Sequence, residues 1–134
     1  AALGVAHDNA AVLGLGQRAA FRHGSWDDGV EPVFDILVSN PPYIPSREID
    51  TLQPEVARYE PRLALDGGTD GLVAYRRLAL AAARLLASGG LATFEVGIGQ
   101  SDAVVQIMTG AGLRRIATAR DLAGIERAVL VRKP

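Results

Sequence analysis

Cysteine is absent from this 134-residue chain, which excludes disulfides, thiolate zinc sites and a cysteine nucleophile at once. Lysine is nearly absent: Lys133 is the one basic residue of 14 that is not arginine. With abundant alanine, that bias points to a GC-rich genome rather than to a function. Neither sign of charge is in excess, since the formal net charge is −1 and the isoelectric point lies near 6.1. Nothing long-ranged therefore draws in a polyanion, and direct nucleic-acid binding is not expected. No apolar run approaches the ~20 residues that span a bilayer, and no charged-then-apolar leader opens the chain. A cytoplasmic protein without membrane contact is the expectation. His7 and His23 have no partners at metal-ligand spacing, so no metal site is expected. What is present, 49% hydrophobic and 22% charged residues, suits one ordinary globular domain.

Along the chain, helical and strand patterns alternate. Apolar residues at Leu3, Ala6, Ala10 and Leu13 predict a helix over residues 1–13, stopped by Gly14 or Gly16. Strands are expected at 18–23 and, more strongly, at 34–39. Residues 44–71 are rich in Pro, Gly, Asp and Glu; so long a connection inside a domain is usually functional. A largely buried helix over 72–87, using Leu72, Val73, Leu78, Leu80, Ala81, Leu85 and Leu86, should be closed by Ser88-Gly89-Gly90. A strand at 91–96 precedes a helix at 101–111 capped by Ser101 or Gly99. Strands at 114–120 and 127–132 complete a hairpin across a turn at 121–126. The sum is an α/β chain whose mainly parallel sheet ends in an antiparallel hairpin.

The chemistry is written where the run Phe34-Asp35-Ile36-Leu37-Val38 meets Ser39-Asn40-Pro41-Pro42-Tyr43. Asn40 precedes a proline and is pushed into an extended conformation. Pro41 and Pro42 fix φ near −65° and carry no N–H, so the turn cannot continue as helix or sheet. The side-chain carbonyl of Asn40 and the main-chain carbonyl of Pro41 are then two acceptors at the carboxyl end of a strand. Two acceptors can take both protons of an NH2 group, and Tyr43 offers it a flat face. This is a methyl-acceptor site for an amide or an exocyclic amine; a plain Asn-Pro turn is the competing structural explanation.

The stretch from Phe34 through Tyr43 to Pro45 resembles motif IV of the S-adenosylmethionine-dependent N-methyltransferases. Tyr59-Glu60-Pro61-Arg62-Leu63-Ala64-Leu65-Asp66-Gly67-Gly68-Thr69-Asp70-Gly71-Leu72, with Tyr75, is similar to the release-factor glutamine methyltransferases (the PrmC/HemK family). That family methylates the side-chain amide of the glutamine in a Gly-Gly-Gln tripeptide. The resemblance implies a class I, Rossmann-like methyltransferase sheet of order 3-2-1-4-5-7-6. The chain would contribute strands 3, 4, 5, 6 and 7, with strands 1 and 2, the glycine-rich first motif and the N-terminal recognition domain without counterpart. Residues 1–134 would thus form part of a catalytic domain, monomeric in its full-length form.

The resemblance implies roles for individual residues. Asn40, Pro41 and Tyr43 would be catalytic, and Asn40, Pro41, Pro42 and Tyr43 would hold the substrate. Trp26, Asp27 and Asn40 would contact S-adenosylmethionine, Trp26 beside the adenine; core packing for Trp26 and an ordinary Asp27-Asp28-Gly29 turn are the structural alternatives. Glu60, Arg62, Asp66 and Asp70 would touch the peptide or tie their loop down, the tying role suiting the two aspartates beside glycines. Glu95 reads as a hydrogen-bonded strand carboxylate. The protein partner would be a peptide chain release factor. Two other functions use the same residues or fewer of them. One is adenine-N6 or guanine-N2 methylation of DNA or rRNA; the other is a non-catalytic remnant unable to hold cofactor.

Overall fold

The computed structural model describes residues 2–31 and 33–134. The chain divides into two units, Ala1–Val30 and Glu31–Pro134. In the first, helix α1 (Ala2–Val12) ends on Gly14, whose φ of +67° is reached without a Cβ penalty. The Gly14 N–H bonds the Ala11 carbonyl at 3.1 Å and the Leu15 N–H bonds that of Ala10 at 2.7 Å. These are the two bonds of a Schellman cap, and the helix stops where its glycine predicts. Residues 18–23, expected to be a strand, are irregular. Extended backbone persists as a strand only when a neighbour satisfies its ladder groups, and this unit has no strand among the described residues.

In the second unit four strands, β1 (Phe34–Ser39), β2 (Leu86–Glu95), β3 (Arg114–Arg120) and β4 (Glu126–Arg132), form one sheet of order β1-β2-β4-β3. β1 runs parallel to β2, while β4 is antiparallel to both its neighbours. The terminal antiparallel hairpin is therefore where the alternating pattern puts it. Between β1 and β2 the chain makes a 3-10 turn (Ser46–Thr51) and three helices, α2 (Pro54–Tyr59), α3 (Arg62–Leu65) and α4 (Val73–Leu85). Helix α5 (Ser101–Gly110) links β2 to β3. The proline-rich connection is thus largely local helical turns, pinned by Ile49 at 2% exposure.

The core lies between one face of the sheet and helices α4 and α5. Tyr75, Leu78, Ala79 and Ala82 of α4 and Val104 and Met108 of α5 meet Ala92 and Phe94 of β2 and Val129 and Val131 of β4. The helical spacing of the α4 residues fixes that face, which leaves Val73 and Leu80 exposed rather than buried as expected. In β1, Leu37 packs on the core, whereas Ile36 and Val38 on the other face are exposed.

Two expected caps take other forms. Ser88-Gly89-Gly90 lies inside β2 and does not close α4; the register slips here, Phe34 pairing with Leu86 and Ile36 with Leu91. A Cβ on Gly90 would lie 3.1 Å from the Asp35 carbonyl oxygen and 3.2 Å from that of Phe34, so these glycines serve a bulge that admits β1. Helix α5 has Gln100 at its N-cap, so neither Gly99 nor Ser101 caps it. The Ser101 hydroxyl instead donates to Glu126 on the hairpin.

Candidate functional site

Asn40 follows the last residue of β1, at the end where parallel β1 and β2 both present their carboxyl termini. Its side chain is exposed, and Pro41 behind it is buried. Among the described residues, neither the Asn40 side chain nor the Pro41 carbonyl has a hydrogen-bond partner. A buried proline fixes where these two acceptors point.

Tyr43 is the hinge of the arrangement. Its hydroxyl donates to Glu95 Oε1 at 3.2 Å, across from the end of β2. Burial first, and then the Glu95 carboxylate beside it, push the Tyr43 hydroxyl above its ordinary range, so it stays protonated and remains a donor. Glu95 is steadied in turn by Tyr75, fully buried in α4, whose hydroxyl donates to the Glu95 main-chain carbonyl at 2.8 Å.

Three glycines leave room for Tyr43. A Cβ on Gly67 would lie 2.8 Å from Tyr43 Cα, one on Gly71 would lie 2.5 Å from the Tyr43 carbonyl oxygen, and one on Gly97 would lie 3.0 Å from Tyr43 Cδ2. The Asp66–Gly71 loop runs against the Asn40–Tyr43 turn through Ile44, whose N–H bonds the Leu65 carbonyl at 3.0 Å and whose carbonyl accepts the Gly67 N–H at 2.9 Å. Asp66 Oδ1 accepts from Ser46 Oγ at 2.6 Å and from the Gly68 N–H at 2.9 Å. Those hydrogen bonds hold the Asp66 carboxyl below its usual range. Asp70 accepts from the Leu72 N–H and pairs with Arg76, which lowers its pKa to about 2. Arg62 pairs with Asp50 and Asp66. These aspartates and Arg62 tie the loop; Glu60 is exposed.

Gln100 completes the clamp. Its Nε2 donates to the Tyr43 carbonyl at 2.9 Å and to that of Gly71 at 3.5 Å, while its Oε1 accepts the Gly97 N–H at 3.0 Å. One amide thus joins the acceptor turn, the glycine loop and the start of α5. Sequence reasoning missed it, because a glutamine before a helix carries no distinguishing pattern.

An open cleft of about 590 Å³ is lined by Asn40, Tyr43, Thr93, Glu95, Asp121 and Arg127, among others. Arg127 was not foreseen either, though a signal existed. It shares the alternation of Val129 and Val131, both fully buried, and a cation in register with core residues is unusual. Trp26 and Asp27 belong to the first unit. Trp26 is 44% exposed, in a turn closed by Asp28 N–H to Ser25 carbonyl and Val30 N–H to Asp27 carbonyl bonds, and it carries a φ of +54°. Left-handed backbone at a bulky residue is uncommon and marks a site worth testing. Among the described residues, no group of three or more histidines and carboxylates could hold a metal ion, and no helix is long and apolar enough to cross a membrane.

No family model matches the chain. Curated relatives do. A release factor glutamine methyltransferase of Caulobacter vibrioides is 53% identical over 130 residues, covering 96% of this chain and 45% of its own length. The one from Rhodospirillum rubrum is 48% identical over 132 residues, covering 98% of the chain and 41% of itself. The chain therefore spans less than half the length of these relatives. Among solved structures, a methyltransferase from Pyrococcus furiosus aligns with a TM-score of 0.55 at 16% identity, over 83% of this chain and 46% of its own. A release-factor-specific protein-(glutamine-N5) methyltransferase from Alicyclobacillus acidocaldarius aligns with a TM-score of 0.47 at 30% identity, over 75% of this chain and 49% of its own. The sheet is that of a class I methyltransferase, and by its sequence the chain belongs to the release factor glutamine methyltransferase family.

Proposed function

We propose that residues 1–134 form part of a methyltransferase catalytic domain that moves a methyl group from S-adenosylmethionine to a glutamine side-chain nitrogen. The glutamine is that of a Gly-Gly-Gln segment in a peptide chain release factor, met in the cytoplasm. The observation that carries the reading is a pair of acceptors without a partner among the described residues, Asn40 Oδ1 and the Pro41 carbonyl, just past the end of β1, with Asn40 lining the open cleft.

An amide nitrogen is a poor nucleophile because its lone pair is delocalised into the carbonyl. Asn40 and Pro41 accept the two N–H protons, which draws electron density back onto nitrogen and fixes its direction. Tyr43, held by Glu95 and Gln100, supplies the flat wall against which the amide lies, and Pro42 keeps the turn rigid. S-adenosylmethionine, when bound, supplies a methyl group on a positively charged sulfur. Asn40 is assigned to both reactants, and Trp26 and Asp27 to the adenine of the cofactor; the exposed face of Trp26 suits a planar base. The gain comes from alignment and electrostatics, and the surplus nitrogen proton leaves to water. No step needs Tyr43 ionised.

The cleft favours a peptide over a nucleic acid. Glu95 and Asp121 outnumber Arg127 on its walls, and two carboxylates beside one guanidinium repel phosphate. The test is to incubate the full-length protein carrying this sequence with methyl-labelled S-adenosylmethionine and a release factor. Label on the Gly-Gly-Gln glutamine is expected; label on duplex DNA in preference to the release factor would overturn the reading.

A further inference from the structure

We infer that Arg127 is a specificity-determining residue of the acceptor cleft, holding a backbone carbonyl of the peptide that bears the target amide; this rests on the reading of the substrate as a peptide. Arg127 is the second residue of β4, on the alternation of buried Val129 and Val131, yet it lies near the strand end beside the cleft. Its Nε donates to Asp121 Oδ2 at 3.2 Å. Asp121 is itself fixed, because its Oδ1 accepts the N–H groups of Ala123 at 2.9 Å and Ile125 at 3.0 Å. The hairpin turn thus builds a carboxylate whose second oxygen grips the inner edge of the guanidinium.

That grip leaves the outer edge unused. Among the described residues, the two terminal nitrogens of Arg127 meet no hydrogen-bond acceptor. A planar fork held from behind is prepared for an oxygen in front. The guanidinium also stands on a ridge, since it lines the cleft containing Asn40 and Glu95 and a second cavity of about 250 Å³ bounded by Pro45, Leu52 and Ile98. A chain whose side-chain amide lies on Asn40 can pass over Arg127 into this second space. Charge selects the oxygen: with Glu95 and Asp121 close by, the neighbourhood is not cationic, so a neutral carbonyl suits it better than a phosphate or free carboxylate.

The experiment measures equilibrium binding of a Gly-Gly-Gln peptide, and separately its methylation, by the full-length protein and by Arg127→Ala. A second variant, Asp121→Asn with Arg127→Gln, keeps a neutral hydrogen-bonded pair and so guards against mere loss of the hairpin. Hydrogen bonds from a charged donor are worth on the order of ten-fold or more in affinity. Kd and KM for the peptide are expected to rise by about that factor in variants that keep the wild-type unfolding midpoint, with kcat changing less. Unchanged Kd and KM would overturn this inference and leave the acceptor reading standing. Arg127-dependent peptide binding without methyl transfer would do the reverse. A wild-type protein that binds no peptide would overturn both.

Discussion

The Tyr43 hydroxyl donates to Glu95 Oε1 at 3.2 Å, joining residues 52 positions apart across the ends of two parallel strands. The bond turns the aromatic ring of the acceptor turn into a fixed wall, and it has a pH signature. Burial, then the Glu95 charge, raises the Tyr43 pKa above 10.0. Below pH 10 the folded and unfolded chains are both protonated here, and the stability is fully present. Above it the unfolded chain releases the proton first, so the native state binds more protons and stability falls with rising pH. Tyr75, raised for the same first reason, acts in the same direction. Unfolding midpoints measured from pH 8 to 11 should decline above 10, and less steeply in Tyr43→Phe. Identical slopes for the two proteins would show that Tyr43 is not held as described.

Asn40→Ala should lower kcat by on the order of 10²–10³, the usual effect of removing one oriented hydrogen-bond partner at a reacting group. Affinity for S-adenosylmethionine should stay within about a few fold, because the edge of Asn40 rather than the bulk of the cofactor site is lost. Stability should hardly change, since the side chain is exposed and has no partner among the described residues. Isothermal titration with the cofactor and single-turnover kinetics separate these effects. Near-normal turnover would remove Asn40 from its proposed role.

Gly71→Ala tests the packing around Tyr43. The new Cβ would lie 2.5 Å from the Tyr43 carbonyl oxygen, and φ is +74°. Both the clash with backbone and the left-handed conformation oppose the substitution, together about 1–3 kcal/mol or more. Gly110→Ala is the control, as nothing lies within 4 Å of its added Cβ and it ends a helix at negative φ. Chemical denaturation should find the first variant clearly destabilised and the second close to wild type. Equal effects would mean that the glycine loop does not press on the acceptor turn.

How much of this was legible depends on whether the signal was local. β1 was read to the residue at Phe34–Ser39, because an apolar run ended by Asn-Pro-Pro can be little else. β3 was read equally well from its flanking turns. Arg18–His23 failed because local propensity cannot supply a neighbouring strand. Ser88-Gly89-Gly90 failed because a glycine pair signals equally a helix stop and a bulge, and only the approach of Asp35 decides. Ser101 is a good cap by type, but its hydroxyl found Glu126, 25 residues away. The acceptor turn was visible as a motif, whereas Gln100 and Arg127 owe their positions to contacts between distant segments.

The last test concerns Gln100. Its Nε2 faces the carbonyl oxygens of Tyr43 and Gly71, and its Oε1 faces the N–H of Gly97. Gln100→Glu keeps the shape but places a carboxylate oxygen where a donor is needed, against two carbonyls. Gln100→Met loses the same bonds without adding that repulsion. Leaving buried partners unsatisfied costs about 1–3 kcal/mol, and a charged acceptor facing acceptors costs more, so the glutamate should be the worse substitution at neutral pH. Acidification through the carboxylate range restores a proton to donate, so the glutamate variant alone should recover part of its loss as pH falls. Methyl transfer should track stability, because the Tyr43 carbonyl anchors the turn that carries Asn40. A glutamate variant as stable as the methionine one, with no recovery in acid, would show that Gln100 is not the clamp on this turn.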